Sequence, residues 1–274
     1  EEIVKEVKNI PVWTKLTLSK IIAENNKFDS KTVTIAKRLT ENLLPYLINK
    51  PFEPFPIIKV YDDDSSSILN EFIENNDSIK PIYSEELSIN SEKFLLDIFL
   101  FYWTQTNSSN IVLTAHHRAV TVWSIWKYIP EFSEPLIHID EKGNKQNYFI
   151  KAYLSGKYLD INVNFQRESF NFPEKDNWWF LISKEAIELS IAESIKKHFE
   201  EEYSIRLESK IKDITQKINT EIPFFSWIMS YIDVAELPYN ADTKRLAMIL
   251  YEKEFECEMK LKEQIDSYLE DPIK

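Results

Sequence analysis

Three of the four histidines in this chain follow short apolar segments, where their side chains could bind a metal ion or act as a general base. His116 and His117 follow the apolar residues 111–114 after a single alanine, and His138 lies two residues before Asp140. If both segments are strands, these side chains lie where open α/β sheets place ligands. His138 and Asp140 would then point to the same face of their strand. Imidazole and carboxylate groups gathered at one edge are typical ligands of a divalent cation.

Each of these residues also has an ordinary structural role open to it. One histidine of the pair could cap or pack beneath a following helix while the other is solvated. His138 could be a buried polar residue of its strand, and Asp140 could cap a turn at Gly143. The sequence is compatible with both the metal-binding or catalytic role and the structural role of these residues.

Asp62, Asp63 and Asp64 follow another predicted strand and form a second candidate ligand group. Three adjacent carboxylates repel one another unless a cation or a helix N-terminus neutralises them. A helix that begins near Ser65 would be enough to neutralise these carboxylates without a metal ion. Asp62 is therefore a further candidate metal ligand, with a role at this helix N-terminus as the structural alternative.

The elements that would position these residues alternate between strands and helices. Residues 110–144 are predicted to form a βαβ unit, with strands at 111–114 and 135–139 around a helix from Arg118 to Tyr128. The segments before it are predicted as helix 30–49, strand 57–61, helix 68–75, a weak strand at 81–83 and helix 92–105. This order favours an α/β fold with three layers around a largely parallel sheet.

The second half of the chain changes towards helix. Strands are predicted at 148–153, 158–165 and 178–182, and then a long helix from a cap at Ser183 to about 220. A final amphipathic helix is predicted over 241–270. We therefore expect an N-terminal helical segment (1–26), an α/β domain (27–183) and a C-terminal helical appendage (184–274).

Composition excludes several classes of function. The net charge of −12 argues against nucleic acid and favours a partner of positive charge. Only two glycines occur, which excludes glycine-rich phosphate loops. The single cysteine, Cys257, allows no disulfide and fits a reducing compartment. The most apolar run, 94–103, is too short to cross a bilayer, so we expect a cytoplasmic protein that is not in the membrane.

The segment Thr-Ala-His-His, followed by a tryptophan-bearing segment and a strand that ends in Ile-Asp, resembles the arginase-like superfamily, most nearly its peptide-arginase branch. That family has a three-layer α/β fold with two manganese ions and hydrolyses arginine to ornithine within peptides. The resemblance implies that His117, or His116, matches the early histidine ligand. It also implies that Asp140 matches the first aspartate of the Asp-x-His-x-Asp stretch.

The match covers residues 110–144 and departs from the family at the next two ligand positions, which are Lys142 and Asn144. An ammonium group cannot replace a metal-binding imidazole. The leading hypothesis is therefore a catalytically degenerate arginase-like protein without a cofactor that binds a peptide or protein partner. One alternative is a Mn²⁺-dependent hydrolase of C–N bonds in peptidyl-arginine. Another is an interaction or immunity-type protein that uses its C-terminal helices.

Overall fold

The computed structural model describes residues 14–16, 31–49, 55–74, 81–101, 108–139, 145–175 and 182–270, with helices and a mixed sheet. The strands are β1 Lys59–Tyr61, β2 Ser66–Ile68, β3 Tyr83–Ile89, β4 Glu92–Phe101, β5 Asn110–Ala115, β6 Arg118–Ser124, β7 Leu136–Ile139 and β8 Lys145–Ser155. The α-helices are α1 Thr32–Asn49, α2 Leu69–Glu74, α3 Lys157–Asn162, α4 Lys184–His198, α5 Glu200–Glu221 and α6 Thr243–Glu270.

The main sheet has six strands in the order β3-β4-β8-β5-β6, and β7 pairs with the first part of β8. Strand β8 runs antiparallel to β4 and β7 and parallel to β5. The expected largely parallel sheet is therefore wrong for these strands, since β5–β8 is the one parallel pair in the described chain. Two-residue turns join β3 to β4 and β5 to β6, and turns this short can only join antiparallel strands. The expected three layers stay a prediction.

The predicted helix from Arg118 to Tyr128 is wrong, and with it the predicted βαβ unit. Residues Arg118–Ser124 form β6, which pairs antiparallel with β5 and begins opposite Ala115. The β-branched run Val120, Thr121 and Val122 favours this extended backbone because branching at Cβ restricts χ1 in a helix. A single 3₁₀ turn, Ile125–Lys127, follows the strand.

The helix predicted over 92–105 is also wrong within the described residues, where Glu92–Phe101 is strand β4. The side chains of Leu96 and Ile98 pack in the main core, whereas Phe99 and Phe101 pack on the opposite face of the sheet. A strand buried on both faces has a continuous apolar sequence, which does not differ from that of a buried helix.

The hydrophobic clusters on the two faces of β4 each include residues of a helix. From α1, Leu44 contributes to a cluster with Phe99 and Tyr153. From α4, Ile187 and Ile191 belong to the main core on the other face. The predicted N-cap of α4 is confirmed, because the Ser183 hydroxyl accepts a hydrogen bond from the backbone N–H of Ala186 at 3.1 Å.

A third cluster is built from the C-terminal helices. The helix predicted from Ser183 to 220 is interrupted at Phe199, where α4 ends and α5 begins. Leu246 and Leu250 of α6 are fully buried with Ile214 and Ile218 of α5. The predicted C-terminal helical region is confirmed, and α6 matches the helix expected over 241–270.

The remaining predictions have mixed outcomes. The helix predicted within 30–49 is confirmed as α1, and the strand predicted at 158–165 is wrong because Lys157–Asn162 forms α3. Most of 1–26 and of 178–182 lies outside the described residues. Among the helices that are described, none combines the length and the apolar character needed to span a membrane.

Candidate functional site

His116 and His117 form the two-residue turn of the β5–β6 hairpin. Both have a left-handed backbone, with φ of 49° and 62°, and both are exposed. Two consecutive positive φ angles match the twist of a hairpin, but they are normally adopted by asparagine and glycine. Each residue other than glycine that adopts such a backbone conformation costs about 1–3 kcal/mol. The turn is therefore strained, and other contacts must hold it.

Asp160 on α3 supplies such a contact. Its Oδ1 accepts a hydrogen bond from the backbone N–H of His116 at 2.6 Å and lies 4.0 Å from Nδ1 of the same imidazole. The side chains are 47% and 40% exposed, so solvent screens the charges. The structure thus brings together one predicted site residue and a carboxylate that the sequence placed on a strand.

No described contact places the other predicted metal ligands beside this turn. His138 lies in β7, where its backbone is opposite Gln146 of β8. Asp140, Lys142 and Asn144 lie outside the described residues, so their convergence with the histidines stays a prediction. No group of three histidine, cysteine or acidic side chains with metal-binding geometry occurs among the residues that are described.

Asp62 stabilises the turn between β1 and β2. Its Oδ1 accepts hydrogen bonds from the backbone N–H groups of Asp64 at 3.0 Å and Ser65 at 2.6 Å, and its Oδ2 accepts one from the Thr32 hydroxyl at 2.5 Å. The Thr32 hydrogen bond, followed by these backbone hydrogen bonds, lowers the pKa of Asp62 to about 2. The Asp62 carboxylate therefore stabilises the turn. The helix expected to begin near Ser65 begins only at Leu69.

Two buried lysines were not predicted from the sequence. The Lys210 ammonium on α5 lies 2.7 Å from Oε1 of Glu131, with both side chains at most 1% exposed, and also donates to the Ala235 carbonyl at 2.8 Å. Lys151 in β8 lies 3.6 Å from Glu41 of α1. Burial lowers the pKa of Lys151, and the Glu41 carboxylate partly offsets this effect. The available signal for Lys151 was a lysine within the otherwise apolar run 148–154.

An apolar cleft of about 440 Å³ lies between the sheet and the start of α5. It is lined by Ile82, Leu136, Ile137 and Ile205, with Glu202 and Arg206 as its charged residues. The Arg206 guanidinium donates to the carbonyls of Glu131, Glu134 and Pro135 at 2.6 to 3.1 Å. Because the Arg206 donors are already engaged and most of the lining is apolar, the cleft suits an apolar group.

Helix α6 carries large apolar side chains on its solvent side. Met248, Tyr251, Phe255 and Met259 follow the spacing i, i+3, i+7 and i+11, and are 66%, 67%, 59% and 42% exposed. We call these four residues the outer stripe. An amphipathic helix normally turns such residues towards its own core. The outer stripe faces away from the buried pair Leu246 and Leu250, so the helix has apolar residues on two faces.

Further along α6, Leu261, Ile265 and Tyr268 are also exposed. Every residue from 258 to 268 is exposed and none belongs to a described hydrophobic cluster, so burial against the described chain stabilises this part of the helix little. Isolated helices shorter than about 12–15 residues are marginal in water. A partner that covers this segment would stabilise it.

Comparisons with models of known protein families, with curated proteins and with solved structures return no match.

Proposed function

We propose that this chain is a protein-binding protein whose partner covers the solvent side of α6. The observation that carries the proposal is the outer stripe. Exposed apolar residues scattered singly are ordinary on protein surfaces, but four in helical register form a continuous strip. Such a strip is the recognition feature of an amphipathic helix that packs against another helix or into a groove.

Three exposed aromatic side chains also lie in the C-terminal part of the chain, in and directly after the short 3₁₀ segment Pro223–Ser230. Phe224 is 67% exposed, Trp227 is 45% exposed and Tyr231 is 70% exposed. Tyrosine and tryptophan are enriched among the residues that dominate binding energy in protein interfaces. These aromatic residues support a binding role for the C-terminal region.

This proposal develops the hypothesis of an interaction protein that acts through its C-terminal helices. The degenerate arginase-like ancestry and the Mn²⁺-dependent hydrolase remain predictions, since Asp140 and Lys142 lie outside the described residues. We favour α6 because its exposed apolar face is present among the described residues, whereas the βαβ unit on which the resemblance depended does not form.

The test is a double substitution in the outer stripe, Met248→Ser with Phe255→Ser. The immobilised chain captures its partner from an extract of its own cells, and the partner is then identified and purified. We expect the double variant to bind this partner about 100-fold more weakly, because two central apolar anchors that each contribute about 1.4 kcal/mol would together account for this factor. Amide hydrogen exchange over 248–268 should slow when the partner is added to the unmodified chain.

The matched control replaces two exposed apolar residues elsewhere, Leu189→Ser on α4 and Ile211→Ser on α5. These side chains are 46% and 41% exposed. The control therefore also replaces two exposed apolar residues by serine, as the stripe variant does. The control should bind as the unmodified chain does. The proposal is contradicted if the stripe variant and the control bind equally well and exchange over 248–268 does not change.

A further inference from the structure

Acidic side chains flank the outer stripe on both sides. Glu252 and Glu258 lie three residues before and three residues after Phe255, which places them on opposite sides of that ring at 3.6 residues per turn. Both are exposed. Between Tyr251 and Met259 the helix has four glutamates and one lysine, and this lysine, Lys253, pairs with Glu256 at 3.2 Å. The strip is therefore apolar at its centre and negative on both sides of Phe255, while exposed Lys244 and Arg245 lie near its Met248 end and exposed Lys262 lies near its Met259 end.

We infer that the partner segment is a basic amphipathic helix of another protein, and this inference rests on the proposed function. Its apolar residues would contact the outer stripe, and lysine or arginine on both of its flanks would face Glu252 and Glu258. Complementary charges of this kind steer association and fix register across an interface. The net charge of −12 on the whole chain acts in the same direction.

The dimensions of the stripe suit a helix. From Met248 to Met259 it extends about 17 Å at 1.5 Å per residue, which is about three helical turns. The spacing of three and four residues is that of a helix–helix seam. The two methionines add a flexible, polarisable surface that adapts to the side chains of a partner.

A second copy of this chain is a poorer occupant. In an antiparallel pair centred on Phe255, the two-fold axis places Glu252 of both copies along one edge of the seam and Glu258 of both copies along the other. Like charges would then share each edge. Two chains that each carry −12 would add to this repulsion.

The experiment uses the full chain and two synthetic peptides with the same helical leucine face. Each peptide has about 18 residues, which is five helical turns. One peptide has lysine at its polar positions and the other has glutamate. Binding is measured by fluorescence anisotropy at low and at high salt. We expect the lysine peptide to bind and the glutamate peptide not to bind, with the affinity for the lysine peptide falling as salt screens the charges.

Three variants identify the surface. We expect Glu252→Gln with Glu258→Gln to bind the lysine peptide about tenfold more weakly at low salt, with a smaller difference at high salt. A matched charge control, Glu201→Gln with Glu208→Gln on the exposed side of α5, should leave the affinity nearly unchanged. Phe255→Ser should weaken binding at both salt concentrations.

Failure of this inference can be distinguished from failure of the proposed function. Equal binding of both peptides, or equal effects of the two glutamate pairs, overturns the basic partner while a Phe255→Ser effect still supports binding at α6. Sedimentation that shows a dimer lost in Phe255→Ser also overturns it, because a second copy then covers the stripe. If neither peptide binds and Phe255→Ser changes neither capture of the natural partner nor oligomeric state, both proposals fail.

Discussion

The buried ion pair between Lys210 and Glu131 gives the most direct test of the packing between α5 and the rest of the fold. Both side chains are at most 1% exposed and their charged atoms are 2.7 Å apart. In Lys210→Met the Glu131 carboxylate would stay buried without its partner, which costs about 3–5 kcal/mol. The Ala235 carbonyl would also lose its hydrogen-bond donor, which adds about 1 kcal/mol. We expect the free energy of unfolding to fall by about 4–6 kcal/mol in total.

The assay is urea unfolding at neutral pH, followed by circular dichroism, with the free energy taken by linear extrapolation. The double variant Lys210→Met with Glu131→Leu removes both charges together. Replacing a buried pair by apolar residues of similar volume is often neutral, so this variant should recover all but about 1–2 kcal/mol of the loss. A loss below about 1 kcal/mol in Lys210→Met would refute the reasoning, because it would place the pair in solvent.

Three further predictions concern the two turns. Replacing the strained pair by His116→Asn with His117→Gly should raise the free energy of unfolding by about 1 kcal/mol in the same assay, and a decrease would contradict the turn geometry. Asp160→Ala should lower it by about 1 kcal/mol, whereas Asp160→Asn keeps an acceptor for the His116 N–H and should lower it less, and equal losses would argue against that hydrogen bond. The folded-state pKa of Asp62, about 2, lies below its ordinary value of 3.8, so its stabilising effect is complete above about pH 4 and is lost as pH falls towards 2. Carboxyl chemical shifts against pH measure this pKa directly, and a midpoint near 3.8 would contradict the hydrogen bonds described for Asp62.

The helical third of the chain could be predicted because its signals are local. Ser183 before an amphipathic run indicated the start of α4, and the spacing of Leu246 and Leu250 indicated one buried face of α6. The break at Phe199 had no such signal. That residue is buried at the junction of the two helices, where its ring packs at 6.0 Å from Phe132, and this contact lies far away in sequence.

The sheet was harder to predict because its central strands are covered on both faces. In β4 the alternation between the two cores is hidden, since both sets of side chains are apolar. The hairpin at His116 and His117 was missed for a different reason. Its turn uses two histidines where asparagine and glycine are the usual residues, so no turn was predicted and β6 was assigned to a helix.

The contacts that build the polar sites join residues far apart in the chain. Glu131 and Lys210 are separated by 79 positions, and His116 and Asp160 by 44. A single sequence contains no information that pairs such residues. The acidic edges of the outer stripe, in contrast, lie within one helix, so the chemistry of α6 could be derived from spacing once its exposed side was known.

The position of β8 in the sheet sets the order in which this chain can fold. The hairpins β3–β4 and β5–β6 close within a few residues, but β8 must insert between β4 and β5, so that Phe101 meets Phe149 and Asn110 meets Lys151. Because contacts of long sequence separation form slowly, both hairpins present unpaired inner edges until β8 arrives. During synthesis from the N-terminus, that interval lasts at least until Ser155 has been made. Chaperone demand should therefore be highest for chains in which both hairpins are exposed but β8 is not, and it should fall once β8 closes the sheet.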